Sequence, residues 1–118
     1  LENVQNKNPA DNEGDTPLHN AAHDGHFEVF KVIFENVNIK NPAGNYGYTP
    51  LHYAAQQGHF NVCELILENL DVKNPSNDQG ETPLSLATQS GHKEVCKLFT
   101  KRKKLGLNNI QKSKAAKK

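Results

Sequence analysis

Thr16-Pro17-Leu18-His19 returns as Thr49-Pro50-Leu51-His52 and again as Thr82-Pro83-Leu84-Ser85, thirty-three residues apart each time. Asn8-Pro9, Asn41-Pro42 and Asn74-Pro75 keep that spacing, as do Gly14, Gly47 and Gly80. The pairs Gly25-His26, Gly58-His59 and Gly91-His92 keep it too. A fixed period of this length constrains architecture more than any other feature. One supersecondary unit cannot bury its apolar face alone and must lie against the next copy, so three copies are near the minimum.

Each marker has a physical use. Thr16 is an N-cap whose hydroxyl takes an otherwise orphaned helix-start N–H. Pro17 then occupies the first helical position, where its missing N–H costs nothing. Leu18, Ala21 and Ala22 give a short first helix a narrow apolar face, and the alanines allow close approach. Gly25 ends that helix in a left-handed conformation. The spacing predicts a second helix over 27–35, with Val29, Val32, Ile33 and Phe34 on its buried side. Asn-Pro and the Gly14-type positions punctuate a turn-rich connection to the next Thr-Pro. The fold class is therefore all-α: a solenoid of stacked helix-turn-helix units with projecting turns.

Gly47-Tyr48-Thr49-Pro50-Leu51-His52-Tyr53-Ala54-Ala55-Gln56-Gln57-Gly58-His59 closely resembles the ankyrin-repeat core G-x-TPLHxAAxxGH, with no mismatch at a fixed position. The resemblance covers about residues 3–102. It implies a remnant of a preceding repeat over 1–10, repeats over 11–43, 44–76 and 77–104, and a basic, partly disordered tail over 105–118. One departure stands out. Where the family usually has a glycine after the second helix, Val37 and Leu70 stand, preceded by Asn36 and Asn69. Asn tolerates the left-handed conformation, so the helices are expected to end on it one residue early. In ankyrin proteins an asparagine at the place of Asn8, Asn41 and Asn74 belongs to a target class for hydroxylation; the commoner reading is a structural Asn-Pro turn.

Leu1-Glu2-Asn3-Val4 aligns with Leu67-Glu68-Asn69-Leu70, the end of a second helix, so the chain reads as a fragment of a longer array. Phe27, Phe30 and Phe34 look internal, and a phenylalanine side left open is the expected weak point. The third repeat instead carries Ser85, Thr88, Lys93 and Thr100 where the others have His, Ala, an aromatic and a large apolar residue. Those replacements suggest a C-terminal cap.

Composition narrows the function classes. No run of about 18 apolar residues occurs, as a membrane span requires, and residues 1–4 lack the features of a signal peptide. Cys63 and Cys96, with no other staple, point to a reducing, intracellular and cytoplasmic setting, with a nuclear one open. Charge is uneven. Residues 1–100 hold six basic against thirteen acidic groups, a net −7, while 101–118 hold +8. The run Lys101-Arg102-Lys103-Lys104 suits a nuclear-import or nucleic-acid patch, and suits a helix C-terminus as well. The acidic body argues against nucleic acid in the groove.

Chemistry finds little footing. His19, His23 and His26 fall within eight residues, and such spacing can bind zinc. The resemblance gives His19 and His52 a hydrogen bond to turn backbone, and has His26, His59 and His92 tie the two helices together. No metal is therefore expected. Cys63 and Cys96 occupy equivalent positions on stacked helices about 8–10 Å apart, too far for a disulfide, and read as small core residues. No nucleophile–base set, P-loop or dinucleotide fingerprint is present. Neither an enzyme nor a cofactor is expected.

Positions that vary between repeats carry more information. In the ankyrin family they line the partner-binding side of the turns and first helices. By register they are Asn12, Glu13, Asp15, Asn20, His23 and Asp24 in repeat one, and Asn45, Tyr46, Tyr48, Tyr53, Gln56 and Gln57 in repeat two. Repeat three adds Asp78, Gln79, Glu81, Leu86, Gln89 and Ser90. All three tyrosines sit in the central repeat among acidic positions. Tyrosine is favoured at the centre of interfaces, and acidic rims steer basic partners. The expected function is a monomeric protein-binding module that takes a basic segment around Tyr46, Tyr48 and Tyr53. The alternatives are a nuclear or nucleic-acid role through the tail, or a passive spacer in a longer array.

Overall fold

The computed structural model describes residues 9–11, 14–71 and 74–101 of the chain. Within them the helices are α1 Pro17–Asp24, α2 Phe27–Asn36, α3 Pro50–Gln57, α4 Phe60–Asn69, α5 Pro83–Gln89 and α6 over 93–101, with a 3-10 turn at Asn45–Gly47. They pair into three successive hairpins, and the described residues contain no strand.

Each hairpin opens on the same device. The hydroxyls of Thr16, Thr49 and Thr82 accept from the backbone N–H of His19, His52 and Ser85, whose side chains accept in return from the threonine N–H. Such caps stabilise a helix start by about 1 kcal/mol each. Asn41 Oδ1 accepts from the N–H of Leu51 at 3.1 Å, and Asn74 Oδ1 from that of Leu84 at 3.4 Å. The Asn-Pro position thus feeds an orphan donor in the first turn of the following helix. Asn8 lies outside the described residues.

The helix ends follow two chemistries. Gly25 at φ 72° and Gly58 at φ 78° close α1 and α3 in the left-handed conformation. α2 and α4 stop at Asn36 and Asn69, the expected residues, but not by the expected means. Val37 and Leu70 continue in extended backbone, and Tyr46 is the only non-glycine with positive φ among the described residues. Instead Asn36 Nδ2 donates to the carbonyl of Val32 at 2.7 Å, and Asn69 Nδ2 to that of Leu65 at 2.9 Å. In both helices the side-chain amide reaches back onto the last turn, and the residue that follows is extended rather than left-handed. Lys40 assists, donating to the carbonyls of Phe34 and Val37 with its ammonium 4.9 Å from the Phe34 ring centroid.

α1, α3 and α5 pack side by side in one row, and α2 lies against α4 in a second. The core between the rows holds Leu18, Ala22, Leu51, Ala54, Ala55 and Ala87 from the first helices. Phe30, Phe34, Val62, Cys63, Ile66, Leu67 and Val95 fill it from the second. The expected buried side of α2 needs correction. Val29 and Val32 are 54% and 60% exposed, Ile33 is half-buried, and Phe30 and Phe34 are buried. The face covered by α1 and α4 runs through Phe30 and Phe34; Val29 lies about 100° round the helix from Phe30. For the same reason the expected weak point on the phenylalanines is wrong, since Phe30 and Phe34 are buried and Phe27 is half-buried.

Consecutive hairpins also interlock. His59 Nε2 donates to the carbonyl of His23, 2.9 Å away in the preceding hairpin. A Cβ on Gly25 would lie 2.5 Å from the His59 ring, and one on Gly58 2.6 Å from that of His92. The histidine after each glycine was expected to tie the two helices of one hairpin; His59 ties one hairpin to the next.

Candidate functional site

The turn tips are built alike. The N–H groups of Asp11, Gly44 and Asn77 donate to the carbonyls of Asp15, Tyr48 and Glu81 across each turn. Gly14, Gly47 and Gly80 have the positive φ that such a turn requires. Adjacent tips are then stitched together. Asn45 N–H donates to Asp15 Oδ1 at 2.9 Å, and Asp78 N–H donates to the Tyr46 carbonyl at 3.0 Å. The contact is close enough that a Cβ on Gly44 would meet Asp15 Oδ1 at 2.5 Å.

Beneath the tips, His19 and His52 staple each first helix to the following hairpin. Thr49 N–H donates to His52 Nδ1 at 3.1 Å, so the ring proton sits on Nε2, which donates to the Glu81 carbonyl at 2.9 Å. His19 repeats this, with Nε2 on the carbonyls of Pro42 and Tyr48. Burial holds the His52 imidazolium pKa below its usual value. A proton added at Nδ1 would also confront the Thr49 N–H.

On this frame the tyrosines and carboxylates assemble. Tyr48 and Tyr53 stack with ring centroids 4.9 Å apart and planes 26° apart. Tyr53 Oη donates to Asp15 Oδ2 at 2.7 Å, in the hairpin before. Tyr48 Oη donates to Glu81 Oε1 at 3.4 Å, in the hairpin after. The pair thus spans all three hairpins. Glu81 Oε1 also accepts from Asn77 Nδ2 at 2.9 Å. His23 stands edge-on to the Tyr53 ring at 5.4 Å and hydrogen-bonds Asp24 at 3.0 Å, which holds the Asp24 carboxyl below the usual carboxylate range. Burial and the Asp15 carboxylate raise the Tyr53 phenol; burial and then Glu81 raise that of Tyr48. Both phenols therefore stay neutral donors to charged acids.

Of the positions read from the sequence, Asp15, His23, Asp24, Tyr48, Tyr53 and Glu81 come together in this network. Gln56 lies near the Tyr48 hydroxyl and offsets a little of the rise in its pKa. Asn45, Asp78 and Gln79 belong to the turns. Tyr46 is 68% exposed at φ 55°, with no ring contact to the stacked pair among the described residues. Asn20, Gln57, Gln89 and Ser90 are exposed. Leu86 is a correction: it is buried, on the helix that packs against α3. Asn12, Glu13, Arg102, Lys103 and Lys104 lie outside the described residues, and Lys101 is exposed at the described end of α6. Leu105, Leu107 and Ile110, apolar tail residues whose sequence suggests packing back on the last repeat, also lie outside. Sequence reasoning missed Asn77, which is buried and whose Oδ1 accepts from the N–H groups of Gln79 and Glu81. Its signal was an amide at the first position of a turn that carries its acids one and four residues on.

No lysine or arginine occurs at any of these turn and first-helix positions. No group of three or more His, Cys, Asp or Glu among the described residues could hold a metal ion, and none of their helices is long and apolar enough to cross a membrane. A family model described as ankyrin repeats in three copies matches residues 1–75 and 47–113. No curated protein matches the chain.

Proposed function

The chain belongs to the ankyrin-repeat family, whose members are generally non-enzymatic protein–protein interaction modules, and from that premise we propose that it binds a basic protein segment across its turns and first helices. The observation that carries this reading is the Tyr48–Tyr53 stack bracketed by the Asp15 and Glu81 carboxylates, among turn and first-helix positions that hold no lysine or arginine. An arginine laid on a tyrosine face gains about 0.5–2 kcal/mol from the ring quadrupole. The flanking carboxylates offer it charge-assisted hydrogen bonds. A single monomer suffices, because one chain supplies all three hairpins of the network. Two unpaired thiols, Cys63 buried and Cys96 half-buried, fit an intracellular, cytoplasmic setting.

The test is calorimetric titration with an arginine-rich peptide and with an acidic peptide of equal length. The arginine peptide should bind and weaken as salt rises; the acidic one should not bind. Tyr48→Ala with Tyr53→Ala should reduce affinity at least about tenfold, equivalent to about 1.4 kcal/mol. Unchanged affinity in that variant, or equal binding of both peptides, contradicts the proposal.

A further inference from the structure

The two carboxylates that flank the tyrosine stack are alike in exposure, both half-buried, and unlike in how their oxygens are occupied. Both oxygens of Asp15 already serve the protein. Oδ1 accepts from the Asn45 N–H at 2.9 Å, and Oδ2 accepts from Tyr53 Oη at 2.7 Å. Gly44 closes on Oδ1 as well, since a Cβ there would stand 2.5 Å away. Glu81 is occupied on one oxygen only. Oε1 accepts from Asn77 Nδ2 at 2.9 Å and from Tyr48 Oη at 3.4 Å, whereas Oε2 has no donor among the described residues.

Glu81 is also the more firmly held of the two. Its carbonyl accepts from the Asn77 N–H at 2.8 Å and from His52 Nε2 at 2.9 Å. Its N–H donates to Asn77 Oδ1 at 2.9 Å, and Asn77 is itself only 6% exposed. A carboxylate fixed through its backbone and one oxygen, with the other oxygen open, loses little freedom when a donor arrives. That is what pre-organisation contributes to affinity.

Resting on the reading that this face takes a basic segment, we propose that Glu81 is the principal arginine anchor and that Asp15 is a positioning residue for Tyr53. A carboxylate oxygen with both lone pairs free can take the N–H groups of a guanidinium. Asp15 has no oxygen without a donor. It acts on the ligand mainly through the placement of the Tyr53 ring and through its charge, which salt at about 0.15 M screens over roughly 8 Å. The anchor therefore lies at the boundary of the second and third hairpins.

Calorimetric titration with the arginine-rich peptide at about 0.15 M salt compares the unmodified chain with Glu81→Gln and Asp15→Asn, which remove one charge each. Glutamine keeps an oxygen for Asn77 and Tyr48 and replaces the open oxygen with an N–H donor. Affinity should fall at least about tenfold in Glu81→Gln and less than about threefold in Asp15→Asn. The Tyr53 ring resonances should move in Asp15→Asn and stay in place in Glu81→Gln, as a positioning role requires. Carboxyl carbon-13 spectra of the unmodified chain give a readout free of any substitution: on peptide addition the Glu81 carboxyl should shift more than that of Asp15. Equal losses in the two variants, or an Asp15 carboxyl that shifts as far as Glu81, would overturn the assignment while leaving the binding face intact. No binding to the unmodified chain would overturn the reading of the face itself, and the assignment with it.

Discussion

At Gly25 and Gly58 two constraints coincide. The backbone is left-handed, and a Cβ would strike the ring of His59 or His92. Gly91 has the same φ sign, at 78°, with nothing within 4 Å. Gly91→Ala should therefore cost only the left-handed penalty of about 1–2 kcal/mol. Gly25→Ala and Gly58→Ala should each cost at least about 1 kcal/mol more, because the histidine must move. Urea unfolding of the three variants checks this, and equal costs would contradict the interlock. Tyr46 is the complementary case, a bulky residue held at φ 55° and 68% exposed. Strain kept at an exposed position hints at use. Tyr46→Asn should raise stability by about 1 kcal/mol while weakening capture of the basic peptide. Cys63 supplies a pH signature, since burial pushes its thiol up to about 12. Between the ordinary thiol value of about 8.5 and 12, the folded chain keeps a proton that the unfolded chain has lost. That contribution is complete below about 8.5 and disappears as pH rises toward 12. Alkylation of the native chain should label Cys96 well before Cys63.

Among the elements, the first helices were readable almost to the residue. Thr, Pro and Gly act locally, through caps, a fixed φ and a left-handed stop, so Thr16-Pro17 and Gly25 mark their own helix. The second helices were less so. α2 is apolar on more than one side, and periodicity alone could not say whether Val29 or Phe30 faced the core; the position of α4 decides it. The Asn36 and Asn69 boundaries were legible, but their mechanism was not, because a side-chain bond to a carbonyl four residues back leaves no mark on composition. The network of Asp15, Tyr48, Tyr53 and Glu81 was half-legible. Register placed all four on one face, whereas the stacking and the two hydroxyl bonds depend on distances between hairpins. Element-scale stability should also respond to acid. Burial depresses the His52 pKa, so the unfolded chain takes up a proton that the folded chain resists. That contribution is present above about pH 6.5 and is lost as pH falls below it. His52→Ala should cost about 1–3 kcal/mol at pH 7, by stranding the Glu81 carbonyl, and should shallow the loss of stability between pH 7 and 5. An unchanged acid slope would contradict this.

Across the whole molecule the hairpins divide two tasks. The second helices and the alanine-lined sides of the first supply the core, and stability follows from the number of contacts between neighbours. The turns and the outer sides of the first helices carry the tyrosines and acids, and they contribute little core. Binding substitutions at Asp15, Tyr48, Tyr53 and Glu81 should therefore be separable from folding. The most direct test is a nitrogen-15 NMR titration of the intact chain with the arginine-rich peptide. Shifts concentrated at Asp15, Asn45, Tyr48, Tyr53 and Glu81, with α2 and α4 unmoved, are the predicted result. Shifts centred on the second helices, or none at millimolar peptide, would contradict it.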